Sequence, residues 1–184
     1  PNRRGRPPTD QAGLTDRLTL CATSRLAQTL RGEAPDGVEV WQTRRALTIG
    51  QWLGSLADEA LLGGSADLPA ALDPFAEATP LFDLQGMAAS AAEAHALSRL
   101  WNIRPAGAQL ADETRLFAGW QLEFDKRCRA AGWSDTVSLQ RQLIGLIAAG
   151  HFALPDAVSF AGFDRLTPLE EGLMAALSGR GVSV

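Results

Sequence analysis

The period of apolar positions changes along this chain, and the changes divide it into parts. Leu18-Thr19-Leu20-Cys21-Ala22 is a short apolar run of strand length. A helix is predicted directly after it, from about Ser24 to Arg31, with Leu26 and Leu30 on one face and Gly32 as its stop. Val38-Glu39-Val40-Trp41 alternates and predicts a second strand. Thr48 and Gln51 then form a capping-box pattern, after which Ile49, Trp52, Leu53, Leu56 and Ala60 recur at helical spacing until Gly63-Gly64. From Ser65 to Pro80 the pattern fades and prolines enter, which reads as loop with room for a short helix around Leu72 to Ala78.

The middle of the chain keeps the helical period. Met87, Ala91, Ala94, Leu97 and Trp101 form one stripe. Leu110, Phe117, Trp120, Phe124, Cys128 and Ala131 form a second, and Leu139, Leu143, Leu146 and Ile147, closed by Gly150, a third. These stripes are read as a helical core, each Trp or Phe contributing about 2–3 kcal/mol of burial before entropy.

The pattern then reverts. Ala157 to Ala161 reads as a buried strand and Ala161-Gly162-Phe163-Asp164 as an exposed turn. A helix from Thr167 to Leu177 follows, with Thr167 as N-cap, Pro168 at the first helical position and Glu170 completing a capping box. Val182-Ser183-Val184 begins another strand. The order is βαβα, a helical insertion, then βαβ, which implies an α/β fold with a parallel sheet. The expected division is a mobile tail over 1–16, an α/β portion over 17–62 and 151–184, and a helical insertion over 63–150. A start at Pro1 rather than Met, and an end inside a strand, read as a piece of a longer protein.

Composition narrows the picture. The chain has 184 residues, is 46% hydrophobic and 21% charged, and has no apolar run long enough for a bilayer. A net charge of −4 excludes a wholly basic nucleic-acid module without excluding a local basic face. Cys21 and Cys128 have no CxxC partner and are read as reduced, packed residues of a cytoplasmic protein. His95 and His151 are isolated, and His95, among alanines, reads as structural.

The chemistry is defined by what is missing. The first strand-turn-helix occupies the position of a phosphate-binding P-loop, with Thr23, Ser24 and Arg25 in the turn. A working P-loop needs GxxxxGK[ST], because glycines let backbone N–H groups surround phosphate, lysine neutralises it and the hydroxyl holds magnesium. None of that is present, so Thr23 or Ser24 is read as a helix N-cap. The second turn, Ala161, Gly162 and Asp164, stands where a nucleotide hydrolase carries paired acids, and Asp164 has no acidic neighbour. There is no GxSxG, no HExxH and no Cys–His–Asp set. Catalytic, cofactor and metal residues are therefore expected to be none. Arg25 at a helix start, and Trp41 with Arg44 and Arg45, are candidate DNA contacts through phosphate neutralisation and stacking.

Several segments together resemble the N-terminal region of the bacterial "probable DNA repair protein" family, related to AddB and RecB helicase–exonuclease subunits. They are Thr23-Ser24-Arg25-Leu26-Ala27, Thr48-Ile49-Gly50-Gln51-Trp52-Leu53, Ala92-Glu93-Ala94-His95-Ala96-Leu97, Phe117-Ala118-Gly119-Trp120-Gln121-Leu122-Glu123-Phe124 with Gly132-Trp133, and Phe160 to Pro168. The resemblance covers most of residues 17–184. It implies a RecA-like (P-loop NTPase-like) parallel sheet, the first domain of a superfamily 1 helicase with a helical insertion. In UvrD-like helicases the second turn reads Asp-Glu-Phe-Gln, and Ala161-Gly162-Phe163-Asp164 takes its place here. The implied function is an ATPase-dead, helicase-like DNA repair and recombination domain. It would serve DNA binding or subunit docking for a downstream RecB-type nuclease, with DNA and a helicase or nuclease subunit as partners. The alternative is a protein-interaction scaffold that does not contact DNA.

Overall fold

The structure, a computed structural model, describes residues 16–33, 44–63, 70–71, 84–104 and 111–184. Arg17–Cys21 (β1) is the central strand, and the residues that follow it turn at once into the helix Ser24–Gly32 (α1). Thr23 caps α1, its hydroxyl oxygen accepting from the Leu26 N–H. Arg45–Thr48 (β2) leads without a loop into Ile49–Leu62 (α2), whose start is fixed by a reciprocal capping box between Thr48 and Gln51. The expected strand at Val38–Trp41 lies outside the described residues, and Arg45, expected just before a helix, is the first residue of β2.

Ala70–Ala71 (β3), Leu84–Leu100 (α3), Asp112–Ala131 (α4), Trp133–Ser134 (β4) and Thr136–Ala149 (α5) follow. Gly132 and Gly150 end α4 and α5 in the left-handed conformation, at φ 68° and 89°, where a Cβ is strained. Ala157–Ala161 (β5) and Pro168–Gly179 (α6) close the described elements, with the Thr167–Glu170 capping box and Pro168 at the start of α6 as expected. Val182–Val184 contributes a single bridge, Ser183 against Ala157, rather than a strand.

The result is α/β: a three-stranded parallel sheet in the order β2-β1-β5, six helices among the described residues, and a separate two-residue parallel pair of β3 with β4. The register sets Leu18 opposite Arg45 and Val158, and Cys21 opposite Thr48 and Ala161. One apolar core spans Leu18, Leu20 and Val158 of the sheet, Trp52, Leu53 and Leu56 of α2, Leu143 and Ile147 of α5, and Leu173 and Leu177 of α6. Cys21, Ala27 and Ala46 form a small second cluster between β1, β2 and α1. No described helix is long and apolar enough to cross a membrane.

One helical stripe is corrected. Of the expected stripe, Ala91 is buried, but Met87, Ala94, Leu97 and Trp101 are exposed, and His95 is buried instead. Besides Ala96 and Leu100, which pack against the core, α3 turns the polar His95 inward, which periodicity of apolar residues does not register. The second stripe is half right: Phe124 and Cys128 are buried, Phe117 is half-buried, Trp120 and Ala131 are exposed, and Leu110 lies outside the described residues.

Candidate functional site: the carboxyl edge of the sheet

In a parallel α/β sheet, ligands bind where strands end and helices begin. Here β1, β2 and β5 end side by side at Cys21, Thr48 and Ala161. Each strand passes to a helix capped by a threonine, Thr23, Thr48 or Thr167.

The edge between β1 and β5 is closed. The Ala22 N–H, the first donor of the turn, is bonded to the Ala161 carbonyl at 3.0 Å. The Leu26 N–H is taken by Thr23 Oγ1 at 3.2 Å, and the Ala27 N–H by the Thr23 carbonyl at 3.1 Å. The Ala27 bond is the ordinary first bond of the helix, but a phosphate cradle needs donors such as those of Ala22 and Leu26 free. Gly162 has φ +76°, and a Cβ built there would lie 2.6 Å from Leu26 Cδ2. The first turn of α1 thus presses an apolar side chain onto the second turn, where a nucleotide hydrolase would hold phosphate and magnesium. The aromatic of the second turn, Phe163, instead packs inward, 5.7 Å from Phe160 in a tilted contact.

Ser24, Arg25 and Asp164 are exposed on this edge, and Asp164 has no acid beside it in sequence. Among the described residues no group of three or more His, Cys, Asp or Glu side chains is placed to hold a metal ion.

The DNA-contact candidates do not form one patch. Arg25 stands at the carboxyl edge, in the first turn of α1. Arg45 begins β2 at the opposite edge, where its guanidinium bonds Asp16 at 3.1 Å. Arg44, beside it, lies 3.8 Å from Glu33 at the far end of α1. The Asp16 N–H also donates to the Asp156 carboxylate at 3.0 Å, and the Asp16 carbonyl accepts from the Asp156 N–H at 2.9 Å. Trp41 lies outside the described residues.

A second group was not assembled from the sequence. His95 of α3, buried to 1% exposure, lies with Nε2 3.8 Å from Oδ2 of Asp135, the buried N-cap of α5. Its Nδ1 is 3.3 Å from Gln121 Nε2 of α4, and Phe124 meets the ring edge-on at 5.2 Å. Burial works to raise the Asp135 pKa, but His95 and the hydrogen bonds from Ser138 outweigh it and hold the carboxyl below the usual carboxylate range. The missed signal was Asp135 itself, an N-cap residue directly before a helix. Its pairing with a histidine forty residues earlier has no local signature.

No protein-family model, curated protein or solved structure matches this chain.

Proposed function

We propose that this chain is an ATPase-dead, helicase-like domain of RecA-like ancestry from a bacterial DNA repair and recombination protein. In this reading it lies near the N-terminus of a cytoplasmic protein and supports DNA binding or subunit docking for a downstream RecB-type nuclease. The observation that carries the reading is the parallel β2-β1-β5 sheet whose two nucleotide-handling turns sit adjacent yet are sealed by the Ala22–Ala161 bond and by Leu26 against Gly162. A frame of that order without the glycines and lysine of a P-loop fits a domain kept for shape rather than hydrolysis.

DNA contact in this reading rests on Arg25, whose helix start favours a phosphate. Fluorescent single-stranded and duplex DNA titrated at low salt tests it. Binding that weakens as salt rises, and falls in Arg25→Ala, supports the reading. Absence of binding to both at low salt overturns the DNA role. The second reading, a protein-interaction scaffold, is favoured by the engagement of Arg44 and Arg45 with Glu33 and Asp16 and by the net charge of −4.

A further inference from the structure

The loops that leave α5 and α6 border an open cleft of about 310 Å³, lined by residues 152–156 and 180–182. It lies at the end of the sheet opposite to Thr23, Gly162 and Arg25, where β5 begins. Its size is at the lower end for a small-molecule site, and its frame is tied down. The Asp156 N–H donates to the Asp16 carbonyl at 2.9 Å, the Ser183 N–H to the Asp156 carbonyl at 3.1 Å, and the Val182 N–H to the Leu177 carbonyl at 3.1 Å. Phe152, Pro155 and Val182 are buried and hold both loops on the apolar core. The Ala153 and Leu154 N–H groups have no acceptor among the described residues.

Arg180 is the one cation among the lining residues. Its backbone N–H closes the last turn of α6, and its side chain reaches Gly150 at the end of α5. A Cβ built on Gly150 would lie 2.8, 3.0 and 3.2 Å from Nη1, Cζ and Nη2. Distances that similar put the flat face of the guanidinium against Gly150, so its in-plane N–H groups are directed away from that contact. Among the described residues no carboxylate lies within ion-pair distance of Arg180. Asp156, the one acid of the lining, is engaged with the Asp16 N–H at 3.0 Å.

We propose that this cleft binds a small monocarboxylate with a short apolar body. Two carboxylate oxygens match the fork of a guanidinium in its own plane, and the Ala153 and Leu154 N–H groups supply further donors. The apolar body is received by Leu154 and Val182. A single charge suits the surroundings: Asp156 and the carbonyl ends of α5 and α6 are all negative, which opposes a dianion such as phosphate.

The test is an amide NMR titration of the 15N-labelled chain at neutral pH with butyrate, with butyramide as the uncharged analogue and with inorganic phosphate. Butyrate should shift the Ala153, Leu154 and Gly181 amide signals saturably, with a Kd on the order of 1 mM. Butyramide and phosphate should each bind about tenfold or more weakly. Arg180→Gln keeps the backbone bonds that end α6 and should weaken butyrate about tenfold. The absence of saturable shifts with butyrate overturns the proposal. So does butyramide or phosphate binding as tightly as butyrate, or an unchanged butyrate affinity in Arg180→Gln.

Discussion

Around β1 and β5 the chain buries what its pattern marks as apolar, whereas along α3 it does the reverse. Leu18, Leu20, Val158 and Leu173 close on one another, and the turns that join these elements are set by threonine caps and a single positive-φ glycine. On α3, Leu97 is 47% exposed and Met87 49%, while His95 is buried at 1% among Gln121, Phe124 and Asp135. The sheet half is held by non-directional burial, which tolerates imprecise geometry. The α3–α4–α5 junction adds to its apolar contacts, such as Ala96 and Leu100, directional polar ones, which are costly when one partner is lost.

Substitutions break or sharpen this contrast. The largest effect is expected from Leu173→Ala, a deletion at a position with 0% exposure. It should cost about 3 kcal/mol in urea unfolding. Acid unfolding comes next. Because the folded pKa of Asp135 is depressed, its contribution is complete above the ordinary carboxylate pKa, about 3.9, and is lost as pH falls through its lower folded value. Asp135→Asn should therefore flatten the acid limb of the stability–pH curve below about pH 4, and an unchanged limb would remove Asp135 from the account.

Gly162→Ala places a Cβ at φ +76° and against Leu26, whose end can swing aside. The expected cost is about 1–2 kcal/mol, mostly backbone strain. Thr167→Ala removes the N-cap of α6 and should cost about 1 kcal/mol in the same titration. The smallest effect belongs to Leu97→Ser, on the exposed face of α3, at under about 0.5 kcal/mol. If it matched Leu173→Ala, the contrast between the two regions would be lost.

The same contrast explains what could be read in the chain. Thr48-Gln51 and Thr167-Pro168-Glu170 are local signals, and both helix starts fall where those residues place them. β5 spans Ala157–Ala161 because a bounded apolar run of strand length has few other uses. The α3 stripe misled because alanine and leucine at helical spacing mark an apolar face without saying whether anything covers it. His95 and Asp135 meet only after α3 and α5 pack, so no spacing in the sequence announces them. At the candidate site, the absence of glycines and lysine around Thr23-Ser24-Arg25 was plain, but its consequence was not. The Ala22–Ala161 bond and the seat of Leu26 on Gly162 depend on two turns separated by most of the chain.

On the proposed function, the carboxyl edge of this sheet takes up no nucleotide. A titration of the protein with a fluorescent ATP analogue, with and without magnesium, tests it most directly. The sealed edge predicts no saturable, magnesium-dependent signal, and Leu26→Ala alone should not create one, because the lysine and acidic ligands are also absent. Tight, magnesium-dependent binding to the unaltered protein would contradict the account.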